Sequence, residues 1–331
     1  MAPARAAFVT GGSGFVGGTL LRRLLSDGWE VRALARSERA AAAVAAAGAT
    51  PVPGDLLDLA ERAERLRGCE VAFHAAAHTA EFDRPEVYRR VNVDGTRAVV
   101  DACRRGGVRR LVHVSSEAAL LAGRPLVGID EDTPLRPDSK VPYCAAKAQA
   151  EQVVMAADGA DLQTVIVRPR MVWGRGDTTI LPALVAAVRK GRFRWIGDGR
   201  HLTSTTHVDN AVEGLILAAG ADRPGRTWFV TDGEPVVFRD FVTALLASQD
   251  IVIGDRHLPP AAARVSASVL EGVWPVLRLA GAPPVTTIAT WLSSLEVTID
   301  ISRARDELGY RPVKTRAAGL AELRRAGADA G

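Results

Sequence analysis

The sequence has few of the residues that build disulfide scaffolds, metal centres or nucleic-acid surfaces. Its three cysteines are odd in number and form no C-x-x-C pair, which argues against a disulfide framework or zinc site and indicates a reducing compartment. Its six histidines lack metal-ligand spacing, so we expect no metal. Aromatic residues make up only 5% of the chain, and its basic residues are scattered among acids. The net charge of +4 therefore predicts no nucleic-acid partner.

The sequence also lacks an apolar run long enough to span a membrane. The densest apolar segment, 268–295, is interrupted by Glu271, Arg278 and Pro283-Pro284, well short of about 20 apolar residues. We expect this segment to be core, or else a wall for an apolar substrate or a homodimer contact. A membrane surface is the weakest alternative, because no basic cluster flanks the segment. Met1 leads within a few residues into a strand, so we expect no signal peptide and a cytoplasmic protein.

The most informative segment that is present runs from Phe8 to Gly17. It reads F-V-T-G-G-S-G-F-V-G, an apolar strand that ends in a turn containing Gly11, Gly14 and Gly17 and continues into leucines at helical spacing. Glycine permits the tight turn, and the backbone N–H groups of a helix N-terminus attract a pyrophosphate. The strand before the turn and the helix after it predict dinucleotide binding rather than a flexible turn.

Strands and helices then alternate along the chain. Further strands are expected at 29–34, near 52, and at 71–73, 110–115 and 162–167, separated by helical stretches of about 10–15 residues. This alternation predicts an α/β fold with a Rossmann-type doubly wound parallel sheet. The length of 331 residues exceeds that of a usual single domain. We therefore expect a dinucleotide-binding domain over 1–170, to which 207–232 returns, and a smaller, mostly helical substrate-binding lobe over 171–331.

The residues after the second predicted strand indicate the cofactor. An NAD site places an acid there, about 20 residues past the glycine turn, to bind the ribose hydroxyls. This chain has Ala35 and then Arg36, and a guanidinium binds a 2′-phosphate through charge-assisted hydrogen bonds. We expect NADP(H) to be preferred, with NAD(H) as the alternative and with Arg32 and Arg39 as other phosphate partners. Asp55 is expected to accept from the adenine amino group or to cap a helix.

Tyr143, Lys147 and Ser116 carry the predicted chemistry. Pro142 suits the first turn of a helix on which Tyr143 and Lys147, four residues apart, share one face. A lysine ammonium there favours the phenolate. Tyr143 can then exchange a proton with a substrate oxygen, while Ser116 donates a second hydrogen bond to the same oxygen.

Together these motifs resemble the extended short-chain dehydrogenase/reductase family, also described as the NAD-dependent epimerase/dehydratase superfamily. The segments that carry the resemblance are T-G-G-S-G-F-V-G (10–17), G-D-L (54–56), N-V-D-G-T (92–96), V-S-S (114–116), Y-C-A-A-K (143–147) and V-R-P (167–169). The second half is most similar to the 3β-hydroxysteroid dehydrogenase-like branch, through R-P-R-M-V-W-G (168–174), S-T-T-H-V-D-N (204–210), T-D-G-E-P (231–235) and D-E-L-G-Y-R-P (306–312).

The resemblance implies a catalytic set of Ser116, Tyr143 and Lys147, with Lys147 also binding the nicotinamide ribose and Arg36 the 2′-phosphate. It implies a cofactor lined by Gly11, Ser13, Gly14, Phe15, Val16, Asp55, Leu56, Ala75, Ala76, Ala77, Pro169 and Arg170. We expect His207 to Asn210 to cap a helix rather than to react.

Departures from the family's other activities narrow the reaction. Sugar-nucleotide dehydratases carry Asp-Glu after the catalytic Ser or Thr, where this chain has Glu117 and then alanine. We expect an NADP(H)-dependent ketoreductase or secondary-alcohol dehydrogenase that acts on a bulky, largely apolar small molecule such as a sterol, polyketide or terpenoid. Glu117, Met171 and Trp173 are candidate substrate contacts, Glu117 being either an exposed lid residue or a contact to a polar group.

Two other functions stay open at this point. A nucleotide-sugar epimerase would share the fold, but those enzymes tend to have an asparagine where this chain has Met171, and an apolar side chain cannot replace an amide donor. The arginine at position 36 also disfavours a nucleotide-sugar epimerase. A non-catalytic NADP-binding redox sensor would normally lack the Tyr143 and Lys147 pair.

Overall fold

The computed structural model describes residues 5–328. Its strands are β1 (Ala6–Thr10), β2 (Glu30–Ala35), β3 (Thr50–Pro53), β4 (Val71–His74), β5 (Arg110–Val114), β6 (Leu126–Ile129), β7 (Gln163–Pro169), β8 (Val172–Trp173), β9 (Trp195–Ile196), β10 (Leu202–Thr203), β11 (Thr206–His207), β12 (Arg226–Val230), β13 (Val236–Val237), β14 (His257–Leu258) and β15 (Val297–Ile299).

The helices are α1 (Phe15–Ser26), α2 (Glu38–Ala46), α3 (Pro85–Tyr88), α4 (Gly95–Gly106), α5 (Pro142–Ala156), α6 (Ile180–Arg189), α7 (Val208–Gly220), α8 (Phe238–Ala247), α9 (Pro260–Val276), α10 (Thr287–Ser294), α11 (Ser302–Leu308) and α12 (Arg316–Ala328). Short 3-10 helices cover Leu59–Leu66 and Glu117–Leu120, and a π-helical turn, Arg89–Asp94, joins α3 to α4.

A seven-stranded sheet in the order β12-β7-β5-β4-β1-β2-β3 forms the centre of the molecule. Every neighbouring pair in it is parallel. The chain runs outward from β1 to β3 and then crosses to β4 on the other side of β1. Ligands bind outside the carboxyl ends of strands at such a reversal. The predicted Rossmann-type doubly wound sheet is therefore confirmed.

The strands of this sheet are apolar on both faces, as parallel strands covered by helices must be. Along β1, Ala7 and Val9 pack on one face in the cluster that contains Leu20 of α1. Ala6 and Phe8 point to the opposite face, in the cluster that contains Val99 of α4. Packing against helices on both faces therefore holds β1 in place, and this fixes the position of the glycine turn that follows it.

The second half of the chain builds most of a smaller lobe. A four-stranded sheet, β13-β10-β15-β6, lies in it, and Trp173, Trp195 and Phe241 belong to a separate apolar cluster there. β12, in contrast, pairs with β7 and extends the large sheet. The exact domain boundaries at 170 and 207–232 stay a prediction.

The apolar segment 268–295 divides into two parts with different surroundings. Ile288 and Trp291 of α10 are buried in the main core, so the expectation of core packing holds for that part. The same expectation is wrong for α9, where Val269 is 57% exposed and Val276 is 78% exposed. Within residues 5–328, every helix is too short or too polar to cross a bilayer.

We predict that Gly17→Ala destabilises the fold while Gly272→Ala does not. A Cβ at Gly17 would lie 2.1 Å from the Gly11 carbonyl oxygen, whereas one at Gly272 would meet nothing within 4 Å. Overpacking costs about 1–3 kcal/mol or more, whereas alanine in an open helix position is favourable by about 0.5–1 kcal/mol. Urea denaturation measures both variants, and a Gly17→Ala protein as stable as the parent would contradict the close approach.

Candidate active site

The glycine turn brings three backbone segments into contact at the end of β1. Gly11 has a φ of +75°, and a Cβ there would lie 2.7 Å from the Ala76 nitrogen. The Gly14 amide donates to the Gly11 carbonyl over 2.9 Å. Gly14 is the N-cap residue of α1, and because it has no side chain it leaves the N-terminus of the helix without a side-chain cap. The positive end of α1 is therefore open beside the turn, and its donors fit a pyrophosphate.

A chain of buried hydrogen bonds holds the adjoining loop, Ala75 to Ala77. The Thr96 hydroxyl donates to the Asn92 carbonyl over 2.6 Å, so it accepts from His74 Nε2, 3.0 Å away. His74 Nδ1 then accepts from the Thr10 hydroxyl at 2.8 Å, and Thr10 accepts from the Ala76 amide at 3.3 Å. Burial lowers the pKa of His74 to about 3, so the ring stays neutral. The loop is fixed against β1 before any ligand binds.

Arg36 follows β2 directly and is exposed. Within residues 5–328 it takes part in no ion pair or side-chain hydrogen bond, and the same holds for Arg39. Arg32 instead donates to the carbonyls of Arg65 and Arg67 over 3.0 and 2.9 Å. Of the three arginines considered from the sequence, Arg32 is thus already committed to the protein backbone.

Asp55 and Leu56 lie beyond the end of β3. One Asp55 carboxylate oxygen accepts from the Leu57 amide at 3.1 Å, a contact within a turn. The N-cap residue of the 3-10 helix that follows is Asp58, so the alternative that Asp55 caps a helix is wrong. Leu56 is buried, and a Cβ at Gly95 would lie 2.4 Å from its side chain. Leu56 is therefore packed against the start of α4.

Tyr143 and Lys147 lie on the first two turns of α5, where Pro142 occupies the start of the helix. The Lys147 ammonium donates to the Val114 carbonyl at the end of β5 over 2.9 Å, two residues before Ser116. The ring centroid of Tyr88 is 6.2 Å from that of Tyr143, in an edge-on arrangement. The helix thus presents both predicted catalytic side chains at the carboxyl edge of the sheet.

Each serine of the Ser115-Ser116 pair donates to its own buried carboxylate. Ser115 donates to Glu151, which also accepts from Arg168 Nε at 2.9 Å and Nη2 at 2.6 Å. Each carboxylate is paired with an arginine: Arg168, which lies in β7, and Arg170, which follows that strand directly.

Ser116 donates to Glu117 Oε2 over 2.5 Å, and Glu117 Oε1 is paired with Arg170. Arg170 is fully buried, and its guanidinium also donates to Thr203. Glu117 is 2% exposed, so the expectation of an exposed lid residue is wrong. The Arg170 side chain is therefore engaged by Glu117 and Thr203 inside the protein, and a contact of this residue to the cofactor stays a prediction.

Neither Glu151 nor the Arg168 side chain is assigned a role by the sequence motifs. The available signal was the spacing of Tyr143, Lys147 and Glu151, which recur every fourth residue and so share a helix face. A second buried acid on that face needs a basic partner, and Arg168 ends the neighbouring strand.

The five buried charges of the site leave one positive charge in excess. Glu151 and Glu117 balance Arg168 and Arg170, whereas Lys147 has only a backbone acceptor. Burial lowers the pKa of Lys147 to about 8, against the opposing effect of Glu151 and Glu117. Burial raises the pKa of Tyr143, and the Glu117 carboxylate raises it further. The phenol is therefore protonated at neutral pH in the absence of a ligand.

Met171 and Trp173 have different surroundings beyond β7. Met171 is half-buried and adopts a φ of 45°, a strained conformation for a non-glycine residue. It packs with Ile180 and Leu184 against the core of the second lobe. Trp173 is fully buried, and its indole N–H donates to Asp232 over 2.8 Å. The packing thus gives Trp173 a structural role and leaves Met171 at the edge of the site.

His207 and Asn210 cap and anchor α7, as predicted. His207 is the N-cap residue, and its Nδ1 accepts from the Asp209 amide at 3.2 Å. Asn210 donates to Asp232 over 2.7 Å and to the Lys314 carbonyl over 2.8 Å. His207, Asp209 and Glu322 also bring potential metal-ligand atoms together, but the Lys314 ammonium already bonds to both of those carboxylates.

Comparison with known proteins gives consistent matches across the chain. Residues 8–259 match the sequence model of the 3-beta hydroxysteroid dehydrogenase/isomerase family. The chain is 46% identical over 320 residues to a 4-hydroxy-2-methyl-3-oxo-4-farnesyl-3,4-dihydroquinoline-1-oxide ketoreductase of Stigmatella aurantiaca, covering 97% of this chain and 96% of that protein. It is 36% identical over 323 residues to a 2-alkyl-3-oxoalkanoate reductase of Stenotrophomonas maltophilia, covering 96% and 97%.

Among solved structures, the fold is similar to a dTDP-glucose 4,6-dehydratase of Streptomyces venezuelae with NAD and TYD bound. The TM-score is 0.76 at 25% sequence identity, and the superposition covers 98% of this chain and 97% of that one. The large sheet and the second lobe therefore recur together in a dinucleotide-binding enzyme.

We predict that Lys147→Met stabilises the fold at neutral pH. The pKa of Lys147 in the folded protein is about 8, below the ordinary lysine value, so its buried ammonium destabilises the folded state below that pH. The penalty fades as the pH rises from about 8 towards the ordinary lysine range. Since each unit of pKa lowering corresponds to about 1.4 kcal/mol of destabilisation by the charged form, removing the ammonium should stabilise the fold by about 1–3 kcal/mol.

Thermal unfolding at about pH 7 and about pH 10 measures this effect, which should be larger at the lower pH. The control is Gln152→Met, on the exposed face of α5, which should leave stability nearly unchanged. A Lys147→Met protein that is less stable than the parent at neutral pH would contradict an excess charge in the site.

Proposed function

This chain belongs to the 3-beta hydroxysteroid dehydrogenase/isomerase family, as its motifs predicted, and from that premise we propose that it is an NADP(H)-dependent ketoreductase of bulky, largely apolar ketones. Membership makes it an oxidoreductase of keto and CH–OH groups that depends on a nicotinamide dinucleotide. The observation that carries the finer proposal is the placement of Ser116, Tyr143 and Lys147 at the sheet edge that carries the glycine turn.

The residues around the turn fit a nicotinamide dinucleotide. A side chain at Gly11 or Gly17 would fill the space between β1 and its neighbours, and the open N-terminus of α1 supplies donors for the pyrophosphate. Arg36, exposed after β2, is available for a 2′-phosphate. The residues that we propose to hold the cofactor are Gly11, Ser13, Gly14, Phe15, Val16, Arg36, Asp55, Leu56, Ala75, Ala76, Ala77, Tyr143, Lys147 and Pro169, with Arg170 limited to its backbone.

The chain's own residues supply the proton and the electrostatic support. When bound, the reduced nicotinamide supplies the hydride that reaches the substrate carbon. Tyr143 donates its phenolic proton to the substrate oxygen. The Ser116 hydroxyl, which donates to Glu117 in this structure, turns its proton to the same oxygen when the substrate binds. The Lys147 ammonium stabilises the phenolate that remains, which solvent reprotonates.

Several observations support an apolar ketone as substrate. The two relatives above are named for ketones that carry a farnesyl group or an alkyl chain. In this chain Met171, two residues after β7, is apolar and only partly buried. An apolar side chain at this position suits a hydrocarbon and offers no amide to a sugar-nucleotide diphosphate.

Dehydration of a sugar nucleotide is the rival suggested by the solved neighbour. That reaction needs two acids after the catalytic serine or threonine, and here Glu117 is followed by Ala118. Glu117 is moreover locked to Arg170. These contacts favour ketone reduction.

We predict that Tyr143→Phe lowers turnover of a ketone by about 10²–10⁴, the scale of a lost general acid. The change removes one hydroxyl and leaves the ring, so stability and NADPH binding should be retained. Ser116→Ala should cost less, because the serine supplies only a hydrogen bond. NADPH oxidation with a panel of 2-alkyl-3-oxoalkanoates and 3-oxosteroids measures both rates. Near-normal reduction by Tyr143→Phe would refute the proposed mechanism.

We predict that NADPH binds at least about tenfold more tightly than NADH, about 1.4 kcal/mol, and that Arg36→Ala removes most of the difference by weakening NADPH. Arg39→Ala tests the alternative phosphate partner, because Arg39 is also exposed and lies on α2; it should leave the NADPH affinity nearly unchanged. Isothermal titration calorimetry of the parent and both variants with both cofactors measures the six affinities. Equal binding of NADPH and NADH by the parent would contradict the expected preference. An unchanged NADPH affinity in Arg36→Ala would mean that another residue binds the 2′-phosphate.

A further inference from the structure

We propose that Glu117, held by Arg170, is a positioning residue that holds the Ser116 side chain in place before the substrate binds and keeps a negative charge next to the helix of Tyr143, so that the site is set for ketone reduction rather than alcohol oxidation. The inference rests on the proposed function and adds a preferred direction to it. Reduction begins with a protonated Tyr143, whereas oxidation begins with the phenolate.

The contacts of Glu117 leave its carboxylate no freedom to turn away. Oε2 accepts from the Ser116 hydroxyl over 2.5 Å, and Oε1 is paired with Arg170. Arg170 is anchored in turn, because Nε and Nη2 donate to the Thr203 hydroxyl over 3.3 and 3.1 Å. With Glu117 at 2% exposure and Arg170 at 0%, water does not screen this charge.

Glu117 lies close to the helix that carries Tyr143, because its 3-10 helix, Glu117–Leu120, packs against α5. The titratable groups that act on the phenol are Glu117 from this 3-10 helix, Tyr88 from α3 and Cys144 from α5 itself. Among them Glu117 is the carboxylate that is paired with an arginine, and its charge opposes the phenolate.

The second buried pair acts on Lys147. Glu151 and Glu117 both raise the pKa of Lys147, whereas Glu117 also raises the pKa of Tyr143. Glu151 therefore supports the ammonium, and Glu117 supports the ammonium while it opposes the phenolate.

The test is the pH dependence of kcat/KM for Glu117→Gln in both directions, with NADPH and a ketone and with NADP⁺ and the corresponding alcohol. The substitution removes the charge and keeps the shape. The alkaline limb of reduction and the acidic limb of oxidation should both move to lower pH, by about one unit, a tenfold change in the phenolate fraction.

Two further variants separate charge from position. Glu117→Asp keeps the charge but shortens the reach to Ser116, so it should lower kcat and leave both limbs where the parent has them. Glu131→Gln is the matched control, because Glu131 is also buried and paired with an arginine, Arg303, but does not act on Tyr143. It should cost stability without moving either limb.

Unmoved limbs in a folded, NADPH-binding Glu117→Gln protein would overturn the inference, as would a shift of equal size in Glu117→Asp. If Glu117→Gln does not fold, the double variant Glu117→Gln/Arg170→Gln removes both charges together and should show the same shift. Tyr143→Phe separates the role of Glu117 from the proposed function. Its inactivity together with unmoved limbs refutes only the role of Glu117, whereas its normal activity refutes the proposed function itself.

Discussion

Two carboxylates that water cannot reach, Glu117 and Glu151, determine the arrangement of the carboxyl edge of the sheet. Each accepts a serine hydroxyl at the end of β5 and binds an arginine from the end of β7. Breaking such a buried pair costs about 3–5 kcal/mol, because it leaves a charge without a partner. These pairs therefore connect β5, β7, Ser116 and the start of the second lobe at one place, and Glu151 holds α5 against the same place.

The same charges give the site its chemical character. Lys147 contributes the excess positive charge, whereas burial and Glu117 raise the pKa of Tyr143 and favour the phenol. A ligand charge that acts on the phenol can change its protonation state. Burying these charged groups lowers the free energy of unfolding, and the apolar layers on both faces of the sheet offset that loss. Proteins often give up some stability at functional sites.

The solved neighbour shows how little of this follows from the fold. A sugar-nucleotide dehydratase shares the sheet and the second lobe over nearly the whole chain, yet this chain has Ala118 in place of the second acid of such enzymes and an apolar Met171 beside β7. Function resides in side chains placed on a common frame. Here those side chains come from the 3-10 helix after β5, from α5 and from the residues after β7.

Local patterns in the sequence determined the elements that local interactions dominate. The glycine turn, strand β1 and the helix carrying Tyr143 and Lys147 appear where the sequence predicts them, because apolar periodicity and glycine geometry act over a few residues. The family followed from the same motifs. The pairs Glu151–Arg168 and Glu117–Arg170 span 17 and 53 residues, and strands such as β8 and β11 have two residues each. The exposure of α9 is likewise invisible in its composition. These features depend on which segments become neighbours in space, so only the tertiary structure decided them.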